Sequence, residues 1–278
     1  MFDSPADVSR RLAAVDYLAD DAIATSVFLA GALGKPLLAE GPAGVGKTQL
    51  AKAVAAATGS ELIRLQCYEG LDEARALYEW NYKRQLLRIQ AGSSDDDIFT
   101  EEFLLERPLL KAIRSTGPTV LLIDEMDKAD VEVEGLLLEL LSDFQVTIPE
   151  LGTITAVRRP YVVLTSNATR ELSEALKRRC LYLHLEYPTP EREKEIVLSQ
   201  VPTLRAELAE QLARTVATLR TLELKKAPSI AETIDWANTL LALGRDDLNE
   251  ATVAQTLGVV LKHASDQARA VKELGLPS

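Results

Sequence analysis

The chain has 278 residues, 47% of them hydrophobic, so a sizeable core is available, and it carries a formal net charge of −11 from 31 Lys and Arg against 42 Asp and Glu. A surface that acidic repels a phosphate backbone, and no long basic run offsets it, so nucleic acid is not the expected partner. No apolar run reaches the roughly 18 residues of a membrane-spanning helix, and Met1-Phe2-Asp3-Ser4-Pro5 is neither basic nor apolar enough to open a signal peptide, so the expected location is cytoplasmic.

Ala6 to Leu33 is apolar at helical spacing and predicts two helices broken near Asp20-Asp21. Short strands are predicted at Leu37–Ala39, Leu62–Gln66, Val120–Asp124, Tyr161–Ser166 and Leu181–Leu185, with helical stretches between them. That alternation implies a five-stranded parallel sheet with helices on both faces, an α/β fold. After the third strand, Asp130 is placed to cap a helix. In it Val133, Leu136, Leu137, Leu140, Leu141 and Phe144 form one apolar stripe. Asp95-Asp96-Asp97, following Gly92-Ser93-Ser94, reads as a polar loop. Thr189-Pro190 opens a helix, with a capping threonine and proline in the first turn. From there only helical patterns follow, at 191–200, 203–219, 229–243 and 250–264. The expected division is therefore an α/β domain over 1–189 and an all-helical domain over 190–278. Cys67 and Cys180 have no pairing or metal-binding spacing and are expected to be buried free thiols; His184 and His263 are isolated.

The octapeptide Gly41-Pro42-Ala43-Gly44-Val45-Gly46-Lys47-Thr48 fits the phosphate-binding pattern G-x-x-x-x-G-K-[ST] in full. Its glycines let successive backbone N–H groups turn inward around phosphate oxygens. Lys47 would reach the β- and γ-phosphates, and the Thr48 hydroxyl would ligate Mg2+. The first strand enters this loop, and an alanine-rich helix from Gln49 leaves it, which puts the phosphates at a helix N-terminus. Val120-Leu121-Leu122-Ile123-Asp124-Glu125 is a buried strand ending in two acids. Asp124 would hold Mg2+, and Glu125 would polarise the water that attacks the γ-phosphate. The alternative for the pair is a role as capping acids before the next helix. Asn167, ending the fourth strand, could bond both the γ-phosphate and the attacking water, or serve as an ordinary turn residue. Lys177-Arg178-Arg179 ends a short helix, where cations are favoured electrostatically. Arg178 or Arg179 could instead reach a neighbouring subunit's site and neutralise phosphoryl charge there.

Taken in this order, the motifs resemble those of an AAA+ ATPase, over about residues 20 to 265. The resemblance implies Walker A at Gly41 to Thr48, with Gln49 next to it, and Walker B at Asp124 and Glu125. It places sensor 1 at Asn167 and the arginine finger at Arg178 or Arg179. It also implies ATP and Mg2+ as cofactors and a trailing helical lid. Pro42-Ala43, Thr165-Ser166-Asn167, and a hairpin predicted at 145–149 and 153–157 are similar to the MoxR branch. The stretches 66–74 and 77–82, with Tyr78, Trp80 and Tyr82, look like its CoxD-like subgroup. That likeness implies a homo-oligomer, commonly a hexameric ring. It implies a partner with a von Willebrand factor A domain, and a metalloenzyme client whose cofactor is inserted or matured. The aromatic trio could face a ring pore, or lie in the core or a subunit interface. The sensor 2 region departs from the family: Lys225-Lys226-Ala227-Pro228 precedes Ser229 and Glu232, which predict a capping box. Two functional readings follow, an ATP-driven remodeller or a nucleotide-dependent binding switch with little hydrolysis. Asp127-Lys128-Ala129-Asp130 mimics a guanine-reading motif but lies one strand too early for that role.

Overall fold

The computed structural model describes residues 1–90 and 98–276. The predicted polar loop with Asp95, Asp96 and Asp97 lies outside the described residues. By backbone contacts the chain divides into two compact units: residues 1–41 with 47–184, and residues 42–46 with 185–278.

The first unit opens with α1 (Pro5–Ala13) and α2 (Asp21–Leu33). Ser4 and Asp20 cap them, accepting from Asp7 N at 3.1 Å and Ile23 N at 2.8 Å. The chain continues through β1 (Leu37–Glu40), α3 (Lys47–Thr58) and β2 (Glu61–Gln66). Next come α4 (Glu73–Ala76), β3 (Tyr78–Trp80), α5 (Tyr82–Gln90) and β4 (Leu104–Glu106). Then α6 (Pro108–Arg114), β5 (Thr119–Asp124) and α7 (Val131–Asp143) lead to β6 (Gln145–Ile148) and β7 (Gly152–Thr155). The unit ends with β8 (Tyr161–Ser166), α8 (Glu174–Arg179) and β9 (Leu181–His184).

Five strands form one parallel sheet in the order β2-β5-β8-β1-β9, with helices on both faces. Every residue of β5 and β8 is buried, as near-continuous apolar strands in the middle of a parallel sheet must be. The apolar stripe of α7 joins the core through Val133, Leu137, Leu140 and Leu141. Asp130 is the N-cap residue of α7, but its side chain makes no cap bond; its Oδ2 accepts instead from Gly70 N at 3.3 Å. The hairpin predicted before the fourth large strand is present as the antiparallel pair β6–β7.

A feature not anticipated from sequence is the small antiparallel sheet β3–β4 beside α5. Here the aromatic trio separates. Trp80 is buried and meets Tyr78 and Phe99 edge-to-face at centroid distances of 6.1 and 5.4 Å, whereas Tyr82 is exposed. Both cysteines are free, and Cys67 is buried as expected, but Cys180 is only partly so. Burial pushes each thiol up to about 12; nearby carboxylates led by Asp124 add to this at Cys67, while Arg179 opposes it at Cys180.

The second unit holds α9 (Pro190–Gln200), α10 (Ala206–Thr221), α11 (Ile230–Ala242), α12 (Glu250–Val260) and α13 (Ala264–Leu274). The last predicted helix stops four residues early, at Val260; after Leu261, Lys262 and His263 a separate helix starts at Ala264. Thr189 caps α9 as expected, accepting from Arg192 N. The Ser229–Glu232 capping box is complete, with bonds of 3.2 and 2.7 Å. Around Trp236 the unit has its own apolar core. A polar network is sealed inside it. Arg220 forks onto both oxygens of Glu193, donates through Nε to Pro228 O at 2.8 Å, and stacks 4.2 Å over the Tyr187 ring. Glu193 also accepts from the Thr233 hydroxyl at 2.7 Å. The loop segment 42–46 belongs to this unit, where Ile230 N donates to Gly44 O at 3.2 Å. A Cβ on Gly44, whose φ is +79°, would come within 2.1 Å of Ser229 Cβ, so only glycine fits there.

Candidate functional site

The glycine-rich loop links the end of β1 to the start of α3, with Gly41, Gly44 and Gly46 at φ of 156°, 79° and 98°. These are the conformations its three glycines were expected to supply. Pro42, Ala43 and Gln49 are exposed, and Val45 is buried.

Lys47, at the start of α3, is buried, and its ammonium donates to Gly41 O at 2.7 Å and to Asn167 Oδ1 at 2.9 Å. Burial holds its pKa below the usual lysine value, against the opposing pull of the Asp127, Asp124, Glu125 and Glu40 carboxylates. The Thr48 hydroxyl donates to Asp124 Oδ1 at 2.9 Å. Residues 76 positions apart in sequence, Thr48 and Asp124, are thus joined at the carboxyl edge of the parallel sheet. This is where open α/β sheets bind ligands.

Asp124 is almost wholly buried, and the bonds to its carboxylate come from three other elements, α3, β8 and β2. Oδ1 also accepts from the Thr165 hydroxyl of β8 at 2.6 Å. Oδ2 accepts from Arg64 of β2, through Nε at 3.0 Å and NH2 at 2.5 Å. Glu125 adopts the left-handed conformation, φ 58° and ψ 49°, and its N–H donates to Thr165 Oγ1 at 2.9 Å. That turn re-aims its side chain. Its Oε2 accepts from Gln66 Nε2 at 2.9 Å and from Lys128 Nζ at 2.6 Å.

Asp127 answers the guanine-motif question: it is a buried anchor. Its carboxylate accepts from Asn167 N at 3.0 Å, from Thr169 N at 3.3 Å and from the Thr169 hydroxyl. Burial alone would raise its pKa, but those three bonds outweigh burial and hold it below the ordinary aspartate value. The loop that aims Asn167 at Lys47 is therefore fixed from beneath. The two candidate fingers differ. Arg179 is tied within its own chain, donating to Ser142 Oγ at 2.6 Å and Ala175 O at 2.9 Å. Arg178 is exposed, and among the described residues it has no hydrogen-bond or ion-pair partner. In the sensor 2 region, Lys226 Nζ lies 3.2 Å from Glu232 Oε1, and the backbone N–H of Lys225 donates to Asp266.

Lys47, Thr48, Asp124, Glu125 and Asn167 are brought together as the motifs anticipated. Arg64, Gln66, Asp127 and Thr165 were missed as partners. The signal for Arg64 and Gln66 was a polar alternation along an otherwise apolar strand, Glu61-Leu62-Ile63-Arg64-Leu65-Gln66.

A glycine-rich loop between strand and helix, with acids ending the strand two places away in the sheet, defines a P-loop α/β fold. Residues 36–180 match the AAA domain, dynein-related subfamily, and the chain belongs to that family. An uncharacterised protein of Staphylococcus haemolyticus is 25% identical over 81% of this chain and 85% of its own. Chaperone protein ClpB 2 of Parasynechococcus marenigrum is 35% identical over 46% of this chain, a stretch that is only 13% of that relative. Among solved structures, a mutant of RuvB from Thermotoga maritima has the same fold, with a TM-score of 0.50 at 18% identity over 98% of this chain and 70% of that one.

Proposed function

We propose that this chain is a Mg2+-dependent ATPase, a chaperone-like AAA+ remodeller of the MoxR branch. One observation carries the reading: at the carboxyl edge of the sheet the start of α3 is hydrogen-bonded to two strand ends, Lys47 to Asn167 after β8 and Thr48 to Asp124 of β5. The backbone amides of the loop and the Lys47 ammonium bind the phosphates. Glu125 takes the proton of the attacking water once its carboxylate is released from Gln66 and Lys128. Asn167 orients that water. Arg178 or Arg179 of a neighbouring copy supplies positive charge to the transferring phosphoryl group.

The donor set fits magnesium. Thr48 Oγ1 and the Asp124 carboxylate are hard oxygens held 2.9 Å apart, and among the described residues no cluster of three His, Cys, Asp or Glu offers an all-protein metal cage. That suits an ion which takes its other ligands from water and phosphate. Bound there, Mg2+ would neutralise charge on the β- and γ-phosphates.

A homo-oligomer, a hexameric ring in this reading, is not needed for binding but is needed if the finger acts in trans, so the specific activity should rise with protein concentration. We assign the client side of the reading to maturation of a metalloenzyme, with a von Willebrand factor A domain partner. The features that favour it are β3, which lies in the stretch similar to the CoxD-like subgroup, and the β6–β7 hairpin, which lies where the likeness to the MoxR branch was read.

The test is phosphate release with the wild type and the Glu125→Gln variant. The variant should keep ATP bound and lose turnover by at least about 100-fold. Turnover at the wild-type rate would remove Glu125 from its role. Arg178→Ala and Arg179→Ala, assayed in parallel, identify the finger as the one whose loss abolishes turnover while ATP stays bound. The alternative reading, a binding switch with little hydrolysis, is favoured by the closed Gln66–Glu125–Lys128 cluster. It predicts nucleotide-dependent partner capture by the wild type with no phosphate released.

A further inference from the structure

The Mg2+ reading leaves Arg64 unexplained. It stands two residues before Gln66 on β2, opposite Leu122 of β5, so its side chain shares a sheet face with Asp124. Its guanidinium is half exposed, whereas the Asp124 side chain it grips is 2% exposed. Both donors converge on one oxygen, Oδ2, and NH2 also reaches Gln66 Oε1. The other oxygen, Oδ1, is taken by the hydroxyls of Thr48 and Thr165. Each hydroxyl keeps lone pairs after donating its proton, so the Thr48 oxygen can still ligate a cation. Oδ2 has no such freedom while a fixed, permanently charged fork covers it.

We propose that Arg64 is a positioning residue that occupies Asp124 Oδ2 in place of the divalent cation and so sets the Mg2+ concentration the nucleotide site requires. The inference rests on the nucleotide reading above. A buried carboxylate must be matched by a cation or by hydrogen bonds. Arg64 supplies that match when metal is absent and competes with the metal for Oδ2. Its half-exposed position lets the guanidinium move toward solvent without opening the core. A purely structural brace would act in the opposite sense: without it Asp124 would lose its aim, and metal would bind more weakly.

The experiment titrates Mg2+ against binding of a fluorescent ATP analogue, in a Glu125→Gln background to prevent turnover. Arg64→Gln and Arg64→Lys are compared with Arg64 intact. Arg64→Gln should lower the Mg2+ midpoint about three- to tenfold, the scale of one lost half-exposed ion pair, and leave saturated binding unchanged. Arg64→Lys, which keeps the charge but not the fork, should fall between. A midpoint that is unchanged, or that rises in either variant, overturns the proposal. If the protein with Arg64 intact never binds the analogue, the nucleotide reading fails instead. Should Arg64→Gln fail to fold, Arg64→Lys decides the matter by the same midpoint.

Discussion

Two arginine–carboxylate pairs, one in each unit, have nearly the same chemistry and opposite settings. In the helical unit both partners of Arg220–Glu193 are sealed, at 8% and 0% exposure. Each remaining donor or acceptor finds a fixed partner in Pro228 O, the Tyr187 ring or the Thr233 hydroxyl. In the α/β unit only the carboxylate of Arg64–Asp124 is sealed, and the arginine is 46% exposed. A fully enclosed pair cannot exchange its partner without exposing a naked charge. A pair with one open end can hand its carboxylate to another cation. Burial of the arginine, rather than the presence of the ion pair, separates a structural bond from an exchangeable one.

The sharpest way to break this comparison is Arg220→Ala. It leaves Glu193 charged, buried and without its fork, and should cost about 3–5 kcal/mol in chemical denaturation. A loss below about 1 kcal/mol would mean that the two pairs do not differ in kind. Asp127→Asn comes next. The carboxylate loses its charge-assisted bonds to the Asn167 loop, for about 2 kcal/mol and a weaker grip on that loop. This change also alters the acid response. Because the folded pKa of Asp127 is depressed, its contribution is complete above the unfolded value near 3.8 and disappears as pH falls through the lower folded value. Asp127→Asn should therefore flatten the decline of stability in that acid window, read from denaturation midpoints across pH 2–5. Glu134, Glu232 and Asp266 are depressed in the same sense and keep part of the slope in the variant.

Arg64→Gln should cost only about 1 kcal/mol, since one end of the pair is in solvent, and added Mg2+ with nucleotide should recover it. Smallest is Ser229→Ala, which removes half of the capping box of α11 for about 1 kcal/mol or less, visible as a lower melting temperature.

The contrast also shows what could be read ahead of the structure. The parallel sheet, the loop glycines, the Asp124-Glu125 strand end and the α11 capping box are local patterns, each specified by residues close in sequence, and each was legible. Partners drawn from other strands were not. Arg64 reaches Asp124 only because β2 pairs with β5, and Asp127 supports Asn167 only because the turn after β5 runs beneath the end of β8. Strand order is a tertiary fact that periodicity does not encode. The β3–β4 pair escaped notice for a different reason: three-residue strands are too short to show alternation. Asp130 was expected to cap α7, but the Gly70 amide from another segment took its carboxylate first.

The two thiols offer a practical opening. With both pushed up to about 12, only about one in ten thousand is ionised at pH 8, so alkylating dyes should pass them by. Fluorophores could then be mounted through newly introduced surface cysteines, without first stripping Cys67 and Cys180 from the native chain.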